Sequence, residues 1–307
     1  MKQFVASLRS GRAAVIGIPY LWLLVFFLLP FLIVLKISVS DVDGVRFKDV
    51  LSFAEGAMSL TLKYSNYIFI TQDELYFKTY ISSLTFAAVT TIFCLMIGYP
   101  FAYFMARAKS TVQPALLMLV MLPFWTSFLL RVYAWKGLLS EHGWVADLLT
   151  FLKVDHLLLA AGLIPALDRY MNTPFSLVVG MVYCYLPFMI LPLYGNLAKL
   201  DVSLLEAAQD LGATPFTTFW KITVPLSRAG IIAGSMLVFI PCVGEFVIPE
   251  LLGGPQTLMI GRVLWDEFFS NNDWPMASTV AVVMILLIIV PLAIFNRYQA
   301  QTQEVRR

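Results

Sequence analysis

Glu245 stands out among the acidic residues because it lies within an apolar run long enough to cross a membrane. A carboxylate inside a bilayer costs about 3 kcal/mol or more, so such a residue marks a functional site by default. It could contact an ammonium group of a transported cation or act as a gate. The alternative is structural, with an arginine or the backbone amides near Pro249 and Gly253 holding the carboxylate.

Aromatic side chains form the second group with suitable chemistry, because a cation binds favourably over the face of an aromatic ring. Some of these residues fall within apolar runs, and others fall near a predicted outer interface. Ordinary packing or interfacial anchoring is the alternative for each aromatic residue. For Asp266, which follows Trp265, the alternative is a position on a solvated surface. The candidates for a cation path are Glu245, Trp125, Tyr183, Tyr185, Trp265 and Asp266.

No residue pattern predicts covalent catalysis or a resident metal. The two histidines, His142 and His156, show no metal-ligand spacing, and the three cysteines fall in apolar runs, which is typical of packing residues. The phosphate-binding pattern G-x-x-x-x-G-K-[ST] is absent from the sequence, so ATP and Mg²⁺ would be bound by another chain. We therefore predict no cofactor, no catalytic residue and no enzymatic activity for this chain.

Composition indicates that these residues belong to a polytopic membrane protein. Of 307 residues, 60% are hydrophobic and 13% are charged, whereas about a quarter of a soluble domain is charged. Nothing in the charge pattern suggests binding to nucleic acid. About 20 residues cross the hydrocarbon core as a helix, and a shorter apolar run at 157–167 is predicted to lie at the interface. Within one membrane domain, 1–307, the predicted spans are 13–36, 79–106, 110–131, 172–197, 229–250 and 274–296.

The distribution of basic residues predicts the orientation of these spans. Lys and Arg are denser in the segments on the side of the two termini, which the positive-inside rule places in the cytoplasm. Six acidic residues fall in the first loop on the opposite side, between positions 41 and 74. Residues 199–228 are therefore predicted to form a cytoplasmic loop.

This cytoplasmic loop contains the stretch SLLEAAQDLGATPFTTFWKITVPL, which predicts two short helices joined by a glycine. Ser203 and Glu206 have the spacing of a capping box at the start of the first helix. Gly212 suits the left-handed residue that ends a helix. Thr214 followed by Pro215 predicts the start of the second helix. On local physics alone, an ordinary amphipathic connector remains the alternative.

The stretch EAAQDLG at 206–212 resembles the cytoplasmic EAA loop of ABC importer permeases. The resemblance implies that this loop docks into a cleft of an ATPase subunit and transmits its closing motion. The residues to which the resemblance assigns this coupling are Glu206, Ala207, Ala208, Asp210, Gly212 and Pro215.

Three further stretches, at 18–38, 122–139 and 243–269, resemble the polyamine branch of these permeases, in particular those that import putrescine. The resemblance implies an all-α type I ABC importer permease fold with six transmembrane helices and a cytoplasmic coupling helix, in a bacterial inner membrane. It implies as partners a second, homologous permease, two ATPase subunits and a periplasmic polyamine-binding protein. Spermidine or another cation is the alternative substrate.

Two other classes of function remain open at this point. A secondary carrier driven by protons or sodium would require internal repeats and several paired intramembrane charges. A membrane enzyme would require a convergent set of His, Asp or Cys residues near the membrane face. A membrane scaffold would bring down no ATPase partner when the chain is purified.

Overall fold

The structure is a computed structural model that describes residues 11–40 and 62–304, together with four short strands between positions 42 and 60; side chains are described for 15–40 and 62–293. The described residues are mostly helical, as predicted. The α-helices are α1 Gly11–Leu23, α2 Leu29–Ser38, α3 Ser65–Gln72, α4 Glu74–Arg107, α5 Gln113–Met121, α6 Phe128–Leu138, α7 Trp144–Phe151, α8 Val154–Ala160, α9 Pro174–Leu197, α10 Ser203–Asp210, α11 Pro215–Thr218, α12 Val224–Leu226, α13 Arg228–Val243, α14 Val247–Leu252, α15 Ile260–Trp265 and α16 Trp274–Glu304.

Tighter and wider helical turns join some of these helices. π-turns occupy Leu24–Leu28, Phe219–Thr223 and Asp266–Ser270, and 3₁₀ turns occupy Leu122–Trp125 and Pro255–Thr257. The strands, which the sequence analysis did not predict, form two antiparallel pairs. They are β1 Val42–Asp43, β2 Arg46–Phe47, β3 Leu51–Ala54 and β4 Ala57–Leu60.

Six membrane spans are obtained if each bent helix pair counts as one span. Among the described residues, four helical segments are long and apolar enough to cross a membrane alone: Val15–Ser38, Glu74–Arg107, Pro174–Leu197 and Trp274–Ala293. Two pairs meet the same criterion only together. One is Gln113–Trp125 with Phe128–Leu138, bent by 87°, and the other is Pro215–Leu226 with Arg228–Val243, bent by 65°.

The first bend has a local cause that shifts the predicted boundary. Thr126 and Ser127 have extended ψ angles of 151° and 141°, so the helix cannot continue through them. The Thr126 hydroxyl donates a hydrogen bond of 2.8 Å to the Pro123 carbonyl and closes the turn. The predicted span 110–131 therefore breaks at this turn, and its second arm continues to Leu138. Likewise, the predicted span 229–250 is divided into α13 and the separate α14.

The chain divides into two compact units, the first comprising residues 1–74 with 264–286 and the second residues 75–263 with 287–307. Within the first unit, the buried Ser38 connects α2 to two other helices. Its hydroxyl lies 2.8 Å from the Tyr67 hydroxyl, and its carbonyl accepts a hydrogen bond of 3.2 Å from Thr279.

Within the second unit, α9 packs closely against α13. Gly230 and Gly234, four residues apart on one face of α13, allow this approach. A Cβ atom at Gly234 would lie 2.8 Å from the Met189 sulfur, and one at Gly230 would lie 2.8 Å from the Asn196 Cβ. Small residues at this spacing are typical of helix contacts in membranes.

The three cysteines, Cys94, Cys184 and Cys242, are free and buried. Their burial agrees with the interpretation of the three cysteines as packing residues.

The segment between α6 and α9 has a hydrophobic cluster of its own, in which Leu139, Ala146, Leu158, Ile164 and Tyr170 are buried. The apolar run 157–167, predicted to lie at the interface, contributes two of these residues. At least part of that run is therefore core.

Candidate functional site

The loop at 199–228, predicted to be cytoplasmic, folds as two short helices joined by a left-handed glycine, as predicted. Gly212 has φ +83°. Its N–H donates to the Gln209 carbonyl at 2.8 Å, and the Ala213 N–H donates to the Ala208 carbonyl at 3.0 Å. This pair of hydrogen bonds is the Schellman motif that ends α10.

The start of α11 also agrees with the sequence. Thr214 is the N-cap, and its hydroxyl accepts a hydrogen bond of 3.3 Å from the Thr217 N–H. Pro215 is the first helical residue. The end of α10 and the start of α11 are thus both determined by the residues of the turn between them.

The predicted capping box of Ser203 and Glu206 is wrong. The N-cap residue of α10 is Val202, and no side chain caps the helix there. Instead, the Asp201 carboxylate accepts a hydrogen bond of 3.0 Å from the Ser203 N–H, which lowers the pKa of Asp201. Asp201 thereby occupies the Ser203 amide that the Glu206 side chain would bind in a capping box, and Ser203 already lies within the helix. The exposed Glu206 is therefore not needed as a cap.

The two helices present an exposed surface that combines acidic and large apolar side chains. Leu205 and Ala208 are buried, whereas Glu206, Ala207 and Asp210 are exposed. Ala208 therefore lies behind the surface that Ala207 presents. At the junction of the helices, the side chains of Leu211 and Phe216 are 90% and 74% exposed. Clustered exposed apolar residues mark a surface that contacts another protein or a membrane.

Replacing Gly212 by valine tests whether this loop must keep its shape. A side chain at φ +83° costs about 1–2 kcal/mol, so for the importer that the resemblance implies we expect several-fold lower uptake with unchanged membrane insertion. Gly137→Ala is the control, because Gly137 is helical and a Cβ there meets nothing within 4 Å. Wild-type uptake by Gly212→Val would contradict the requirement for this turn.

The candidate path contains one buried polar pair, formed by Glu245 and Tyr185. Glu245 is 8% exposed and lies between α13 and α14. Its Oε1 accepts hydrogen bonds from the N–H groups of the next three residues, 246–248, at 3.2, 3.0 and 3.4 Å. The Tyr185 hydroxyl on α9 donates to Oε2. The carboxylate thus caps α14, as the structural alternative proposed, and also binds a second predicted path residue.

The structure gives each of the other predicted path residues surroundings of its own. Trp125 is 71% exposed at the end of the 3₁₀ turn. Tyr183 packs edge-on against Trp135, with ring centroids 5.4 Å apart. Trp265 belongs to the first unit, where its ring lies 4.2 Å from that of Phe269, and the half-buried Asp266 belongs to the same unit.

Arg131 on α6 is a buried charge that the sequence analysis did not single out. Its side chain is 8% exposed, and its guanidinium lies 5.0 Å from the ring centroid of Phe124 and 5.6 Å from that of Phe128. Nε and Nη1 have no hydrogen-bond partner among the residues that the structure describes. An unpaired buried donor costs about 1–3 kcal/mol, which the aromatic contacts offset only in part.

A signal for Arg131 was present in the sequence. It is the only basic residue between Lys109 and Lys136. At the end of the predicted span 110–131, however, an arginine is expected to extend toward water. The bend after Trp125 instead places it inside the protein.

These residues can bind and release a cation, but they do not form a set of groups suited to covalent catalysis. A phenol and a carboxylate can exchange partners with an ammonium group, and aromatic rings can hold a cation while water is excluded. Across the described ranges, no group of three or more His, Cys, Asp or Glu residues could hold a metal ion.

Comparison with solved structures shows the fold. A bacterial alginate ABC transporter, solved with an alginate-bound periplasmic protein, matches with a TM-score of 0.69 at 16% identity, over 98% of both chains. The predicted ABC importer permease fold is thereby confirmed.

Comparison with sequences shows the family. Residues 95–304 match the family model described as "binding-protein-dependent transport system inner membrane component". The chain is 39% identical to the spermidine/putrescine transport system permease protein PotB of Haemophilus influenzae, over 93% of this chain and 92% of that protein. It is 37% identical to the protein of the same name from Escherichia coli, over 90% and 93% of the two chains. The chain therefore belongs to the family of binding-protein-dependent transport system inner membrane components, which are transport subunits and not enzymes.

Proposed function

We propose that this chain is the permease subunit of an ATP-driven importer that moves polyamines, and putrescine in particular, into the cytoplasm. The observation that carries the proposal is the identity of 37–39% with spermidine/putrescine permeases over nine-tenths of the chain. Family membership favours this function over an ion-coupled carrier or a scaffold.

The cation path is proposed to include the Glu245–Tyr185 pair. Polyamines carry ammonium groups, and a buried carboxylate beside a phenol offers them a counter-charge and a hydrogen-bond partner. Glu245 is the only buried carboxylate that the structure describes outside the α7–α8 segment. One such group suits the short diamine putrescine better than the longer, more highly charged spermidine.

Coupling to ATP is proposed to occur through the exposed surface of α10 and α11. Its stiff turn, acidic side chains and exposed Leu211 and Phe216 suit docking into a cleft of an ATPase subunit, which would bind ATP and Mg²⁺. The proposal also includes a second homologous permease beside this chain, a periplasmic binding protein and cytoplasmic termini.

Reconstitution tests this function directly. Proteoliposomes containing this chain with its partner permease and ATPase subunits receive ATP inside and solute-loaded binding protein outside. We expect uptake of labelled putrescine that requires ATP hydrolysis and exceeds spermidine uptake at least about tenfold, a difference of about 1.4 kcal/mol. A non-hydrolysable ATP analogue is the control.

Other outcomes of the same experiment would contradict parts of the proposal. Faster spermidine uptake would contradict the preference for putrescine and leave the polyamine importer standing. Uptake driven by an ion gradient without ATP would contradict ATP coupling.

A further inference from the structure

Arg131 is an anomaly that the proposed function does not use. It is a buried guanidinium in a membrane-spanning helix pair, and two of its nitrogen atoms lack hydrogen bonds within the described part of the chain. Ionisable groups inside a membrane are normally paired with another group. An unpaired arginine in one conformation therefore points to a partner in another.

Glu245 is the best placed partner. The buried carboxylates that the structure describes are Glu245 and Asp155, and Asp155 lies on α8, in the segment that holds the Tyr170 cluster. Glu245 directly precedes α14, which packs against α6, and both helices pack against α9.

A chain of aromatic contacts connects the two charges within the second unit. The Arg131 guanidinium lies over the Phe124 ring, whose centroid is 5.1 Å from that of Phe188. The Phe188 ring is 6.1 Å from the Tyr185 ring. The Tyr185 hydroxyl then donates to Glu245.

The backbone allows α6 to move relative to the turn before it. Thr126 and Ser127 have extended conformations and interrupt the helical hydrogen bonding at the 87° bend. Hinges are element-terminal residues of this kind, which absorb changes in φ and ψ. A rotation of α6 about these two residues would change the distance between Arg131 and Glu245.

We propose that Arg131 and Glu245 form an ion pair in another conformation of the transport cycle, in which the guanidinium replaces the Tyr185 hydroxyl at the carboxylate. Arg131 is then an internal competitor of the substrate ammonium for Glu245. Pairing closes the site between transport events, and withdrawal of Arg131 to the aromatic rings opens it. The competitor role rests on the proposed function, whereas the pairing itself does not.

A double-mutant cycle on the assembled complex tests the pair. Thermal unfolding is measured for the wild type, Arg131→Gln, Glu245→Gln and the double variant, each without nucleotide and after trapping with vanadate. In the state that contains the pair, we expect each single change to lower the midpoint by about 3 °C or more and the double change to lower it by less than their sum. The reason is that one change leaves a buried charge unpartnered, whereas both changes leave none.

Matched variants and a direct observation complete the test. Lys136→Gln removes an exposed positive charge from the same helix, and its effect should add to that of Glu245→Gln in both states. If Arg131→Gln does not assemble, a cryo-EM structure of the nucleotide-free wild type decides, with the guanidinium expected within about 4 Å of the Glu245 carboxylate, as in an ordinary ion pair.

Failure of this inference is distinguishable from failure of the proposed function. Additive effects in both states, or an unpaired Arg131 in the nucleotide-free structure, would overturn the pair and leave polyamine uptake untouched. Absence of polyamine uptake by the wild type would overturn the proposed function and leave the thermal cycle valid.

Discussion

Replacing Glu206 by lysine is expected to abolish ATP-driven uptake while the chain still inserts and assembles with its partner permease. Glu206 is exposed on α10, on the side opposite the buried Leu205 and Ala208. If the docking surface proposed here contacts the ATPase, the change places a positive charge where an acidic one is accommodated. Such a mismatch in an interface costs about 2–5 kcal/mol, so uptake should fall at least about 30-fold. ATP-dependent uptake and co-purification of the ATPase are the measurements.

Gln209→Lys is the matched control for this change. Gln209 is exposed on the same helix but lies toward the flank of the proposed docking face, so the added lysine should leave most of the uptake intact. Unchanged uptake by Glu206→Lys would contradict the docking role. Equal losses in both variants would show that any added lysine disturbs this helix.

Gly261→Ala is expected to destabilise the second unit. A Cβ atom at Gly261 would lie 2.5 Å from the Gly244 carbonyl oxygen and 2.7 Å from that of Glu245. Both contacts are to backbone, so the turn that carries Glu245 must move. Overpacking of this kind costs about 1–3 kcal/mol, and we also expect reduced uptake because the contact between Glu245 and Tyr185 depends on that turn. Thermal unfolding and uptake of the assembled complex test both effects.

Gly195→Ala provides the comparison. Gly195 lies within α9, and a Cβ atom there meets nothing within 4 Å. Alanine is favoured over glycine in a helix by about 0.5–1 kcal/mol, so this variant should be as stable as the wild type or slightly more so. Wild-type stability of Gly261→Ala would show that the close approach is not required.

The features that the sequence predicted well are those decided by neighbouring residues. Gly212 ends α10 and Thr214 caps α11 because the chemistry of each turn is contained within four or five residues. The capping box failed for a related reason, since Asp201 lies just before the helix and binds the Ser203 amide that the Glu206 side chain was expected to serve. Sequence rules for helix ends identify the side chains that could cap a helix more reliably than they predict which of those side chains does so.

The arrangement of the buried charges could not be predicted in the same way. Tyr185 and Glu245 were separate candidates, and their hydrogen bond joins residues 60 positions apart. The burial of Arg131 depends on the 87° bend at Thr126 and Ser127, whereas the apolar run favoured a straight span. Contacts of this range depend on helix packing, which hydrophobicity along the chain does not specify.

The burial of all three native cysteines has a practical consequence for spectroscopy. A thiol that is enclosed by protein reacts slowly with maleimide reagents, since the attacking thiolate must reach the reagent. A cysteine introduced at the exposed position 209 would therefore be labelled selectively in the native protein. Fluorophores or spin labels could then report loop movement during ATP turnover without first removing the natural thiols.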